Sequence, residues 1–397
     1  MSEWKEYKFS NIGKIVTGKT PRTAISDNYG GKIPFLSPSD DMQTKYVPIT
    51  ARCLTEKGLS EVKNCLIPSN SICVSCIGSD MGKSVITKEP IVTNQQINSI
   101  IPSNEFDSNF IYYVMQSKRK EIRFMGGNGT AVPILNKTAF SNLTFFAPSL
   151  FDQRRIASIL SSLDDKIAVN RRICENLEAQ AQALFKHWFI DFAPYKNRKF
   201  VESELGIIPL SEISEQITDG VHNSVKDEPN SNYMLLSCKN IVGGVLSKNS
   251  YRSISKSTFE SLRLRTKLAK GDVLLSSVGT IGEIAIVEEE PINYEFQRSV
   301  AIVKPKKTIG TYFLYNALLA SKARLQHAAH GAVQQCLFIG DLKKFEVIYS
   351  DTEKASRYNE TVKPLFEEIA NLHQENLRLS SLRDTLLPKL MSGEIKV

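Results

Sequence analysis

The 397-residue sequence predicts an α+β protein built twice over: two mixed α/β domains separated by two long, coiled-coil-like helices. Three observations carry that expectation. The chain repeats itself at an offset of roughly 202 positions. Two stretches bear a heptad seam, and the remainder is short β-type runs broken by Gly, Pro, Ser and Asn.

The repeat is weak at any one place but keeps its order. "VSCIGSDMGK" meets "LSSVGTIGE", so Gly78 falls on Gly279 and Gly82 on Gly282. "TNQQINSII" meets "EFQRSVAIV", which places Gln96 on Gln297. "NFIYYVMQSK" meets "TYFLYNALLASK", and "GNGTAVPIL" meets "AHGAVQQCL". Within each copy, "SICVSCIG", "LTFFAP", "DVLLSSVG", "SVAIVKP" and "FEVIYS" read as strands, with helices over 108–122 and 310–325.

Residues 152–190 and 353–388 differ in kind. In the first, Ile156, Leu160, Leu163, Ile167, Asn170, Cys174, Leu177, Ala181, Leu184 and Trp188 alternate steps of four and three, the a/d pattern of a coiled-coil seam. Tyr358, Val362, Leu365, Ile369, Leu372, Asn376, Leu379, Arg383 and Leu386 repeat those steps. Pro364 is expected to break or restart the second helix. A lone seam needs a partner, and the other copy supplies it. Asn170 and Asn376 fall on apolar positions, either tolerated there or fixing register and contacting another subunit. A helix of about 37 residues is ~55 Å long. One turn of B-DNA is ~34–36 Å, so two heads on such a spacer could touch one duplex about a turn or more apart.

Composition narrows the function classes. The charge of +8 permits a nucleic-acid partner without demanding one. No apolar run is long enough for a membrane span, and the start "MSEWKEYKFS" lacks the apolar core of a signal peptide. The seven cysteines, an odd number without framework spacing, suit a reducing, cytoplasmic setting.

Motifs for chemistry are thin. "SCIGSDMGKS" resembles a phosphate loop, but its glycines are separated by three residues where the loop needs four. The sister turn puts Glu283 where Lys83 stands, so a tight glycine turn is the better reading, with Lys83 left as a contact to a DNA phosphate. Cys73 and Cys76 have no second pair to complete a zinc set. No methyltransferase D/N-P-P-Y/F/W tetrapeptide and no paired-acid nuclease signature stands out, and His222 near Asp219 reads as a loop histidine.

Polar loops beside the strands hold what remains. In the first copy these supply Lys19, Thr20 and Arg22, Ser37 and Ser39, Gln95 and Gln96, and Asn128 and Thr130. In the second they supply His222 and Lys226, Lys239 and Asn240, Gln297 and Arg298, and His330 and Gln334. Arg and Lys can bond guanine edges, Gln and Asn adenine edges, and Ser, Thr and Lys phosphates. These are candidate DNA contacts; no catalytic or metal residue is assigned. A self-contained methyltransferase or nuclease with an unrecognised site stays open as an alternative.

The sequence resembles the specificity subunits of type I restriction-modification systems over essentially its whole length. "IGKIVTGKTP" is similar to the opening of a target-recognition domain in that family, and "FDQRRIASILSSLDDKIAVNRRICENLEAQAQALFKHWFIDFAP" (151–194) to its central conserved region. "ESELGIIPL" resembles the junction opening the second recognition domain, although the Trp expected shortly after that proline is absent, and "LRDTLLPKLMSGEI" resembles the C-terminal conserved region. The resemblance implies target-recognition domains over 1–150 and 196–350 and two antiparallel conserved helices over 151–195 and 351–397, related by a pseudo-twofold repeat. It further implies that each domain reads one half of a split, asymmetric sequence in double-stranded DNA. The helices would set the gap between half-sites and dock two methyltransferase subunits, with restriction subunits completing the complex. S-adenosylmethionine, ATP and Mg²⁺ would belong to those partners, and this chain would bind none of them. A related subunit serving another defence system is the alternative within this resemblance.

Overall fold

The computed structural model describes residues 3–126, 134–191, 206–331 and 335–397. They divide into two compact units, residues 1–170 with 375–397, and residues 171–374.

The first unit begins with β1 (Lys5–Lys8), β2 (Gly13–Thr17), β3 (Tyr29–Leu36), β4 (Arg52–Leu54), α1 (Glu56–Glu61) and β5 (Leu66–Ile67). It continues with β6 (Ile72–Ser75), β7 (Ser84–Ile86), β8 (Ile91–Thr93), β9 (Ile97–Pro102) and α2 (Ser108–Gly126). Then come α3 (Lys137–Asn142), β10 (Thr144–Ala147) and the long α4 (Leu150–Phe185), which a π-helical turn prolongs to Ile190 and which runs on into the second unit.

The second unit contains β11 (Gly206–Pro209), α5 (Leu210–Ile213), β12 (Ser214–Asp219), β13 (Tyr233–Leu236), β14 (Ile241–Val242) and β15 (Val245–Leu246). After β16 (Arg252–Ile254) and α6 (Lys256–Thr266) come β17 (Val273–Ser276), β18 (Ile284–Ile286), β19 (Tyr294–Phe296) and β20 (Val300–Pro305). The chain closes with α7 (Thr311–Ala320), α8 (Lys322–His327), α9 (Ile339–Lys344), β21 (Glu346–Tyr349) and α10 (Thr352–Met391), whose last part belongs to the first unit.

The internal repeat is visible in the sheet orders. An antiparallel sheet β2-β9-β6-β7 in the first unit matches β12-β20-β17-β18 in the second. A mixed sheet β4-β3-β8 matches β16-β13-β19, with β3·β8 and β13·β19 the parallel pairs, and β5 extends the first of these. The opening and closing strands of each repeat pair with one another, β1 with β10 and β11 with β21. The "ICVS" and "VLLS" strands are buried on both faces of their sheets, Ile72 and Val74 in one core and Cys73 in another, Val273 and Leu275 in one and Leu274 in another, which is why they read as continuous runs without alternation.

Each unit takes one stretch of each long helix into its core. Ile156, Ala157 and Leu160 of α4 and Leu390 of α10 pack with Phe9, Phe110 and Tyr113. In the second unit Cys174, Ala181 and Phe185 meet Tyr358, Val362, Phe366, Ile369 and Leu372, and the Tyr358 hydroxyl donates to the Ala181 carbonyl (2.9 Å). The helices run antiparallel in the first unit, where Arg383 reaches Asp164 (2.7 Å) and Asn170 reaches Asn376 (3.0 Å). The long helices also plug the starts of shorter ones. Gln153 Oε1 accepts from Asp107 N–H (3.1 Å), and Asn359 Oδ1 accepts from Tyr312 and Phe313 N–H (2.9 and 3.1 Å).

Three expectations change here, and a buried polar residue gains its partners. Pro364 does not break α10, because it lies on the exposed face, where water can take up the freed carbonyl while Val362 and Phe366 hold the other face in the core. The seam drifts from the strict heptad: Phe366 is buried and Leu365 only half-buried, while Leu163, Leu177, Leu184, Leu379 and Leu386 sit at its edge and Ile167, Ile369 and Leu372 inside it. The helix over 310–325 is reset at the buried Ser321, whose carbonyl accepts the Leu325 N–H (2.9 Å). Asn170 is fully buried, and its amide nitrogen donates to Glu375 (2.7 Å) and to Asn376 (3.0 Å), bonds that a shifted register would lose, while its amide oxygen has no hydrogen-bond partner among the described residues.

Two outcomes follow, and the two tryptophans separate them, since Trp4 lies in the first unit and Trp188 in the second. Asp164 receives both Arg383 and the Tyr113 hydroxyl (2.6 Å), so Arg383→Met leaves a mostly buried carboxylate without its cation. Denaturation followed at Trp4 should show a loss of about 2 kcal/mol, with the Trp188 transition unmoved. His373 on α10 bonds Glu288 (3.0 Å); burial opposes its charge, but the neighbouring carboxylate outweighs burial and raises its pKa above 6.5. A raised folded pKa means stability that is full below 6.5 and lost as pH rises through the folded value. The Trp188 transition should therefore weaken above neutral pH in the parent more than in His373→Gln.

Candidate nucleic-acid interface

At one end of each antiparallel sheet the polar loops are tied into one backbone lattice. In the first unit Gly18 N–H donates to Ile97 O (3.1 Å), Lys19 to Thr93 (2.9 Å), Asn94 to Leu36 (2.9 Å), Cys76 to Gln96 (2.9 Å) and Leu135 to Cys76 (3.0 Å). In the second, Gly220 donates to Val300 (3.2 Å), Val221 to Phe296 (2.8 Å), Gln297 to Leu236 (2.8 Å), Ser277 to Ser299 (2.9 Å) and Leu337 to Ser277 (2.8 Å). The same five bonds gather five loops in each unit, and only glycine fits where the first of them crosses. A Cβ on Gly18 would lie 2.2 Å from the Thr93 and Asn94 carbonyl oxygens, and one on Gly220 2.0 Å from that of Phe296. Sequence reasoning passed over both glycines, although each sits inside a loop it had singled out.

This lattice corrects the alignment of the polar loops. Asn94, not Gln96, occupies the place of Gln297, because the two residues donate to Leu36 and Leu236 and accept from Ile97 and Val300. Gln95 then matches Arg298, and Gln96 matches Ser299. String similarity slipped by two positions because solvent-facing residues at these positions carry no burial pattern to hold the register.

The glycine turns match as expected. Gly78, Gly82, Gly279 and Gly282 all have positive φ, at 61°, 82°, 77° and 88°. Each turn joins two strands, β6 to β7 and β17 to β18, and no helix follows to complete a phosphate loop. Lys83 is paired with Asp80 (2.6 Å) and only slightly exposed, so a phosphate contact would have to break that pair. At the sister place Glu283 pairs with Lys322 of α8 (2.6 Å), a residue sequence reasoning missed.

The other candidates divide by their partners. Ser37 is buried and bonds Asp40 through its N–H and hydroxyl (2.8 and 2.9 Å); Asn240 is buried and bonds the Ser237 N–H and the Ser247 and Ser250 carbonyls. These two shape the same turn in the two repeats, and every bond they make is internal, so they leave the set of DNA contacts. Arg22 is exposed but spends its fork on Glu61 (2.7 and 3.1 Å), and Ser39 bonds Ser37 (2.7 Å). Thr20 donates to Gln95 (2.6 Å), which joins two candidates at one surface, while the half-buried Gln96 bonds Asn94 (3.2 Å). His222 bonds Asp219 (2.6 Å), which also meets Arg265 (3.2 Å). Lys19, Lys226, Lys239 and Arg298 are exposed, as is His330, 3.6 Å from Asp341. Asn128, Thr130 and Gln334 lie outside the described residues.

Cys73 and Cys76 are buried, and burial pushes their thiols up to about 12 and about 11. Protonated thiols in a sheet interior are poor metal ligands. Among the described residues no three His, Cys, Asp or Glu side chains gather as a metal site, and no helix is long and apolar enough to cross a membrane.

Two copies of one mixed domain, each with unlike polar loops on a common backbone lattice and carried on shared long helices, define a duplicated recognition protein. A model of the type I restriction modification DNA specificity domain matches residues 1–179 and 207–380, and the chain belongs to that family. It is 28% identical over 417 aligned residues to the type I restriction enzyme MjaIX specificity subunit of Methanocaldococcus jannaschii, covering 100% of this chain and 94% of that one. It is 33% identical over 178 residues to the HindI specificity subunit of Haemophilus influenzae, covering 43% of this chain and 39% of that protein. The crystal structure of the type I restriction-modification S subunit from M. genitalium aligns over 98% of this chain and 96% of that one with a TM-score of 0.59 at 16% identity, a likeness of fold.

The lattice separates two kinds of glycine. Gly220→Ala should cost about 3 kcal/mol or more by forcing backbone apart, whereas a Cβ on Gly279 meets nothing and Gly279→Ala should cost only about 1–2 kcal/mol for its left-handed backbone. Denaturation of the two variants followed at Trp188 checks the order.

Proposed function

We propose that this chain is the non-catalytic DNA-recognition subunit of a type I restriction-modification complex, reading a bipartite, asymmetric target with one repeat per half-site. One observation carries the reading: identical backbone lattices display different side chains, Lys19 and Gln95 in one unit against Val221 and Arg298 in the other. A fixed scaffold with a changed display is what two unlike half-sites require. In this reading residues 1–150 and 196–350 are the recognition domains, and 151–195 and 351–397 the conserved helices. Exposed apolar residues on the helices, Val169 and Ile173 on α4 and Leu377 and Leu382 on α10, supply surface for two methyltransferase subunits, with restriction subunits beyond them. S-adenosylmethionine, ATP and Mg²⁺ are used by those subunits, in the cytoplasm.

The test is reconstitution with the methyltransferase subunits and DNA. Methyl transfer from labelled S-adenosylmethionine should require both proteins and one split sequence; transfer by this chain alone would falsify the proposal. Lengthening α4 and α10 by one heptad each should change the gap between half-sites, read by methylome sequencing. Arg298→Ala should weaken target binding by roughly ten-fold and relax preference within one half-site only.

A further inference from the structure

Helices α3 and α9 occupy the same place in the two repeats. Each has six residues, and shortly before each stands a leucine, Leu135 or Leu337, whose N–H donates to the carbonyl two residues before the turn glycine, that of Cys76 or Ser277. At the head of α3 the Asn136 side chain accepts from Ala139 N–H (2.9 Å), as a helix start prefers. The head of α9 is Phe338. It makes no cap and is 61% exposed. A chain that gives up a capping residue and leaves a large apolar ring in water departs twice from local stability at one position, and such departures concentrate where function overrides folding.

The ring is also positioned. His330 stacks on it, ring centroids 6.3 Å apart and 19° from parallel, and approaches Asp341 in the first turn of α9 (3.6 Å). His330 and Cys336 exchange backbone hydrogen bonds (2.9 and 2.7 Å), and Cys336 bridges to Val278 beside the Gly279 turn. Phe338 therefore stands in the loop cluster that contains Arg298, its ring exposed on a segment that the buried Leu337 and Leu342 anchor in the core.

We propose that Phe338, oriented by the His330 ring, is a specificity-determining contact to one base pair of the second half-site. This rests on the DNA-reading function proposed above. An apolar ring at a base edge reads the thymine methyl or the shape of a base step, which the hydrogen-bonding residues of the loop cannot. At the same place the first repeat has Asn136, spent on its cap, so this particular contact belongs to the second half-site.

Phe338→Asn restores the cap of the first repeat and gives the experiment opposite signs. In complex with the methyltransferase subunits, the variant should melt at or above the parent temperature while its preference for target over random duplex falls by ten-fold or more. A scan of single base substitutions should show the loss at one position of the second half-site, with the first unchanged. Phe338→Leu, which keeps an apolar side chain, should retain part of the preference. An unchanged preference in Phe338→Asn would overturn the assignment, as would lost assembly with the methyltransferase subunits, which would make Phe338 a protein contact. A parent complex with no sequence preference would instead overturn the function on which the assignment rests.

Discussion

Neither long helix can bury its apolar face by itself, and that constraint organises the chain. In each unit a stretch of α4 and a stretch of α10 lie together against a mixed β domain, so the core of each repeat is completed by residues far away in sequence. Leu390 closes the core that Phe9 opens, and Ala181 sits under Tyr358. Polar bonds then select one register from those the apolar faces allow. The Asn170 amide nitrogen with Asn376, and Asp164 with Arg383 and Tyr113, are bonded together in one alignment, and a slip would leave that buried nitrogen and a mostly buried carboxylate unpaired.

Scaffold and display are separated within each repeat. The loops are held by N–H and C=O groups, which every residue but proline supplies in full, and by glycines where the backbones cross too closely for a Cβ. Several side chains at these loops, Lys19, Lys226, Lys239 and Arg298 among them, are thereby left exposed. Where a polar loop residue does hold the turn, as Ser37 with Asp40 and Asn240 do, it is buried and the same turn appears in both units.

Much of this was legible in the sequence. The glycine turns were visible because positive φ is a demand that one residue type answers cheaply, and the long helices because steps of four and three kept over four heptads match the period of a helix and of no strand. The two cores, the strand runs and the duplication followed. What escaped was decided by partners. A polar side chain in a loop reads alike whether it caps a turn or faces water, so Ser37 and Asn240 passed for contacts. Leu365 and Phe366 are neighbours of similar character, and only the angle of the helix in its unit chose the second. Lys83 looked available until Asp80 was placed beside it. Phe338 drew no notice, because a single aromatic beside a helix start has no period and no motif.

The pairing of β1 with β10 and of β11 with β21 puts the beginning of each repeat alongside its end, Lys5 opposite Ala147 and Gly206 opposite Tyr349. A long helix starts within three residues of each closing strand, at Leu150 and Thr352. The module thus enters and leaves the rest of the protein through one doorway. A segment exchanged between those two strands would meet the same helices, and would have to keep the contacts that Phe9, Phe110 and Tyr113 make with α4 and α10.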